Sequence, residues 1–267
     1  MIAAFLALTA LLEASDCDAP RGVERLWASE STRLVMVGEV HGTVEVPTAF
    51  AQTVCAASAS RPVVVGLEYE DSAQPAIDAW MSSEGSADDL TLLLQSTAFT
   101  RRFDDGRSSG AMLALFNELL ALKRSGRSIS VVAFVPSVER AQGFSQAYGE
   151  LEMAQRLSRM VQGHPTSLAL VLVGRFHASK SAFGALLPAA AHLPADEVVS
   201  LQLNIQGGQM WTCSGQGPEP ECGPRDTGGE DDGERGVVLI EDADGRFDGL
   251  LSLGPLSASP PARHDQP

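Results

Sequence analysis

Four short apolar runs, each ended by glycine, proline or an acid, set the frame of the chain. Leu34 to Val37 runs into Gly38, Val63 to Leu67 into Glu68, Ile129 to Phe134 towards Pro136, and Leu168 to Val173 into Gly174. Their apolarity is continuous rather than alternating, which marks strands buried on both faces, as in a mainly parallel sheet covered by helices. Helical periodicity fills the intervals. Val46 to Ala57, with Pro47 early, predicts one helix, and Pro75 to Met81 and Ala87 to Gln95 predict two short ones. Ser109 to Lys123 carries the strongest apolar stripe and stops near Gly126; Glu150 to Val161 and Ser179 to Ala190 predict two more helices.

Beyond residue 196 helices give way to runs joined by glycine-rich loops: Val198 to Asn204, Gln209 to Cys213, Gly236 to Ile240 and Gly249 to Leu253. These predict antiparallel hairpin strands extending the sheet, with Gly217 to Arg235 a mobile loop and residues 257–267 a disordered tail. The fold class is therefore α/β, a central mainly parallel sheet flanked by helices with antiparallel hairpins toward the C-terminus, in a single domain over residues 17–256.

Composition adds limits. A chain of 267 residues, 44% hydrophobic and 20% charged, is that of a globular domain. A net charge of -15 argues against nucleic-acid binding, which needs clustered cations. Residues 1–16 hold an apolar run too short to span a bilayer, followed by Ala14 and Ser15, and read as a secretory signal without a basic n-region; an ordinary first helix is the other reading. The cysteines, Cys17, Cys55, Cys213 and Cys222, suit two disulfides in an oxidising compartment, Cys213 with Cys222 across a turn-rich loop and Cys17 with Cys55; no Cys-x-x-Cys pair supports zinc. A periplasmic or secreted protein without a stable membrane span follows.

Candidate chemistry lies where the predicted strands end, because ligands of parallel sheets sit at their carboxyl edge. Three strands deliver Gly38-Glu39-Val40-His41-Gly42, Gly66-Leu67-Glu68 and Gly174-Arg175-Phe176-His177. Gly-x-x-His thus occurs twice directly after a strand. Imidazoles with carboxylates suit a divalent metal such as Zn, Mn, Fe or Co; the same groups also serve without metal as a histidine base held by glutamate. Glu39, His41, Glu68 and His177 form the candidate site. Arg107, after Asp105-Gly106, either reaches the crevice to pin an anionic group or is a surface residue at a helix start. Glu45 suits the first turn of its helix, and His164, His192 and His264 read as solvent-facing. Asp242-Ala243-Asp244-Gly245 matches the start of a calcium loop but lacks its later ligands and reads as a hairpin turn.

Val37-Gly-Glu-Val-His-Gly-Thr-x-Glu45, Gly66-Leu-Glu68 and Val173-Gly-Arg-Phe-His-Ala-x-Lys180 resemble the Tiki superfamily, which takes in ChaN-like haem-binding proteins, erythromycin esterases and TraB-type proteins. The resemblance runs from about Leu34 to Leu253, and Asp105 to Ser108 is similar to a segment of ChaN-like members. It implies a metal-dependent hydrolase of ester, amide or peptide bonds, with a small-molecule or peptide substrate. His41, Glu68 and His177 would be metal ligands, Glu39 a fourth ligand or general base, and Arg107 the orienting group. The alternatives are a haem or iron binder without turnover, for which the tyrosines Tyr69 and Tyr148 are available outside any haem motif, and a catalytically silent relative that binds partners. An arginine that the family often carries before its mid-helix Met-Ala is replaced here by Glu150-Leu151-Glu152 ahead of Met153-Ala154.

Overall fold

A computed structural model of the chain describes residues 17–100, 105–137, 145–214, 220–240 and 245–263. The predicted leader over residues 1–16, the Asp242 to Asp244 turn and His264 lie outside these. In chain order the elements are β1 (Leu34–Glu39), α1 (Glu45–Ser58), β2 (Val63–Glu70), α2 (Gln74–Met81), α3 (Ala87–Gln95), α4 (Gly110–Arg124), β3 (Ile129–Val135), α5 (Gln146–Gly163), β4 (Leu168–Gly174), α6 (Arg175–Ala178), β5 (Val198–Asn204), β6 (Gln209–Ser214), β7 (Glu221–Asp226), β8 (Gly236–Leu239) and β9 (Gly249–Ser252). A seven-stranded sheet has the order β3-β2-β4-β1-β5-β9-β8, parallel throughout except where β8 pairs antiparallel with β9.

The continuous apolar runs are accounted for by two cores, one on each face of the sheet. Val35, Val37, Val65, Leu170 and Leu172 pack with α1, α2 and α4 on one side, whereas Met36, Val64, Val171 and Val173 meet Met153, Leu157 and Met160 of α5 on the other. At roughly 1.5–3 kcal/mol per fully buried aliphatic side chain, these layers supply the main drive to fold. Local signals fix the helix starts. Ser86 caps α3 in a reciprocal box with Asp89, and Ser109 caps α4 by accepting from the Met112 N–H.

Four features depart from the sequence pattern. The helix predicted over Ser179 to Ala190 is absent. Lys180 is drawn away instead, its backbone N–H donating to Arg246 O and its ammonium to Asp248, while Phe183 and Leu186 pair as a bridge and Pro188 ends any helical continuation. Only a short turn, Ala189–His192, is helical. The strand over Val198 to Asn204 is not a hairpin arm but lies parallel between β1 and β9, both faces covered. Within the loop read as mobile, β7 forms and pairs with β6 as a separate two-stranded sheet, Cys222 directly opposite Cys213. Residues 257–263 are likewise not free. Ser257 to Ala262 form a strap whose backbone bonds to Val44, Gly42, Gly110 and Ser108.

Two disulfides join Cys17 to Cys55 and Cys213 to Cys222. They close loops of sequence separation 38 and 9. Chain entropy therefore assigns about 4 kcal/mol to the first and about 2.5 kcal/mol to the second. Thermal melts of the Cys17→Ser/Cys55→Ser protein should show the larger fall in melting temperature; equal falls would mean that the hairpin bond holds more than its own loop.

Candidate functional site

The carboxyl ends of β2, β4 and β1 lie side by side, and each contributes to one polar cluster. Glu39 closes β1, where it pairs across to Gly174 of β4. His41 follows two residues later, Glu68 sits near the end of β2, and His177 rides on α6 immediately after β4. Gly174 lets the members meet, since a Cβ there would stand 3.2 Å from His41 Nε2 and 3.4 Å from a Glu68 oxygen.

Each histidine has its own buried carboxylate. His41 Nδ1 lies 2.8 Å from Glu39 Oε1, and His177 Nδ1 lies 2.8 Å from Glu150 Oε2. The opposite nitrogens both face Glu68: His41 Nε2 at 3.4 Å and His177 Nε2 at 3.7 Å. The Glu68 carboxylate also accepts from Arg107 Nη1 at 2.7 Å and from the Gly174 N–H at 2.6 Å. Arg107 is clasped by Asp105 through Nε and Nη2, and its carbonyl accepts from the Tyr69 hydroxyl. Arg107 thus lines the crevice beside Glu68. The loop carrying it touches the His41 loop directly. Gly106, at φ +92, has no room for a Cβ, which would fall 2.2 Å from Gly42 N.

The charges balance through proximity. Burial works against a charged His41, but the carboxylates of Glu68 and Glu39 outweigh it and push its pKa up to about 10. For His177 burial is again outweighed, here by Glu150 and Glu68, and its pKa is raised. Burial tends to protonate Glu68, yet His41, His177 and Arg107 hold it well below the usual carboxylate range. A raised histidine pKa stabilises the fold fully below its unfolded value of 6.5 and loses that contribution as pH climbs through the folded value of about 10. A depressed carboxylate does the reverse, contributing above 4.5 and failing in acid. Melting temperature should therefore fall from neutral pH towards pH 10 in the wild type and fall less in His41→Gln, measured by calorimetry across that range; parallel curves would exclude His41 as the titrating group.

The metal expected on His41, Glu68 and His177 is not confirmed. Among the described residues, no group of three or more His, Cys, Asp or Glu is arranged to hold an ion. Arg107 and the Gly174 N–H bond the oxygens of Glu68, and both imidazoles are paired with carboxylates. Tyr69 is equally committed, buried with its hydroxyl bonded, so it presents no haem ligand, whereas Tyr148 is exposed on α5.

Sequence reasoning missed Glu150. Its signal lay in the helix pattern, where it occupies the same stripe as Met153, Ala154 and Leu157, an acid at a core position, 1% exposed. Its second oxygen contact, from the Ala189 N–H, ties α5 to the turn after α6.

On either side of the imidazoles the crevice opens. One lobe of about 500 Å³ is lined by Glu68, Glu70, Arg107, Gln146 and Glu150. The other, about 490 Å³, is lined by Val40, Phe176, Ile205, Met210 and Thr212, the last two from the disulfide-stapled β6 strand. His177 borders both. Among the described residues no helix is long and apolar enough to cross a membrane.

No family model matches the chain, and no curated protein matches it. Solved structures do. A Bacillus cereus protein superposes with a TM-score of 0.61 at 12% identity, covering 86% of this chain and 90% of that one. An erythromycin esterase in an open conformation gives 0.56 at 12% identity over 85% and 91% of the two chains. A protein described as acting in succinoglycan biosynthesis gives 0.57 at 9% identity over 86% and 90%. At these identities the likeness is one of fold. The chain shares that fold with all three.

Proposed function

We propose that the chain is an exported hydrolase of carbonyl bonds, esters first, using its two carboxylate-held histidines as base and acid. One observation carries the reading: two imidazoles flank a single buried carboxylate, and each has a separate buried glutamate on its outer nitrogen. That arrangement fixes both rings and lets them differ in charge. The carboxylates outweigh burial at both rings and raise both; His177 is taken as the base and His41 as the acid. A water in the crevice then adds its oxygen to the substrate carbonyl while His177 Nε2 takes its proton. As the bond to the leaving oxygen breaks, His41 Nε2 gives a proton to that oxygen, and the products are an acid and an alcohol. Glu39 and Glu150 orient the rings, Glu68 positions Arg107, and the Arg107 guanidinium supplies the positive charge towards the developing oxyanion.

Ester chemistry is favoured over amide by the fold neighbour named as an erythromycin esterase. Export is supported by the apolar leader and by two disulfides, bonds that persist in oxidising compartments. The test is a panel of 4-nitrophenyl esters assayed across pH after exhaustive dialysis against EDTA. Turnover that survives dialysis and follows a bell, rising as His177 deprotonates and falling towards pH 10, is expected. No turnover of any ester sinks the hydrolase reading; activity lost on dialysis and restored by Mn, Co, Zn or Fe replaces this mechanism with a metal-dependent one.

A further inference from the structure

Beside the crevice lies a second cavity of about 300 Å³, lined by Arg175, Phe176, Phe183, Gln202, Arg246 and Phe247. Its composition stands apart from the rest of the molecule. In a chain of net charge -15, two guanidinium groups and an amide face one small space, with no carboxylate among the described lining residues. Arg175 is exposed, and no ion pair among the described residues uses it. Arg246 lies over the Phe183 ring, 5.3 Å from its centroid. The remaining walls are aromatic, and the Phe176 and Phe183 centroids are 5.1 Å apart.

This cavity adjoins the candidate site. Arg175 and Phe176 line both the cavity and the apolar lobe of the crevice. Phe176 is the wall between them, its ring edge-on to His177 at 5.5 Å on one side and packed on Phe183 on the other. Guanidinium groups bind carboxylate and phosphate oxygens through paired N–H donors, and phenyl rings accept a flat apolar body alongside.

We propose that this cavity binds an anionic group, carboxylate or phosphate, carried on an aromatic body, and that it seats the far end of the substrate. The first half stands on the cavity alone, and the second rests on the hydrolase reading. The substrate class then becomes an ester whose acyl or alcohol portion ends in an aromatic anion, with the scissile carbonyl reaching past Phe176 to the imidazoles.

Calorimetric titration of the full chain with 3-phenylpropanoate, phenyl phosphate and neutral 3-phenylpropanamide tests the site without any turnover. Either anion should bind at least about tenfold more tightly than the amide, and Arg175→Gln and Arg246→Gln should each weaken the anion about tenfold, a loss equal to one charge-assisted contact. His177→Asn should bind both anions as the wild type does. Equal affinity for the neutral amide, unchanged binding in both arginine variants, or no binding of either anion overturns the site. A paired assay separates the two readings. An aryl ester with a distal carboxylate should show a lower KM than its methyl-capped twin, and Arg175→Gln should erase that difference. Anion binding with no ester turned over leaves the cavity standing and removes the hydrolase; turnover without any anion preference removes the cavity from substrate recognition.

Discussion

A His177→Asn protein should hydrolyse a reactive ester about 10²–10⁴-fold more slowly than the wild type while keeping its fold, because it loses the general base but little apolar packing. The ring is partly buried at the edge of the crevice, and its shortest side-chain contact is the one to Glu150. The fall should appear in kcat, with KM little changed, since the imidazole acts in the transition state rather than in holding substrate. Glu150 acts only through that ring. Glu150→Gln should therefore slow the wild type but cost almost nothing further in the His177→Asn background. Additive losses in the double variant would show that Glu150 works independently, and full activity in His177→Asn would remove the base from this residue.

Removing Glu68 should be the costliest single change to stability. Glu68→Ala leaves the cations of His41, His177 and Arg107 gathered in a largely buried place without their common partner. Breaking such a buried set by deleting one member costs about 3–5 kcal/mol. The charge that raises His41 most goes with it, so the His41 titration should move down from about 10. Urea unfolding and an NMR pH titration of the imidazoles read the two effects together. A loss under about 1 kcal/mol with an unmoved His41 titration would mean that Glu68 is not the hub of the cluster.

Glu39, His41, Glu68 and His177 were legible because each follows an unmistakable strand, and in a parallel sheet strand ends converge. That inference needed only local pattern and one topological rule. Glu150 was not legible by the same route. It comes from a helix, and only its place on an apolar stripe betrays that it turns inward. The Arg107 contact to Glu68 could not be read from residue types either, because it comes from a loop 39 residues away. The absent helix after Ser179 shows the opposite error, an apolar composition with helical spacing overruled by Lys180 and Pro188. The Ser257 to Ala262 strap was invisible to hydropathy altogether, since what holds it is backbone hydrogen bonding and not side-chain burial alone.

That strap has a bearing on how the protein comes into being. Its Ser259 N–H donates to the carbonyl of Gly42, next to His41, and its Ala262 N–H to Ser108, next to Arg107. The earlier-made part of the candidate site is therefore fastened by residues that come far later in the chain. Contacts of such long sequence separation form late, after the costs of closing large loops have been met. A growing chain has the histidines before it has the clamp around them. The candidate site is thus closed only when the strap has been made and has folded back over it.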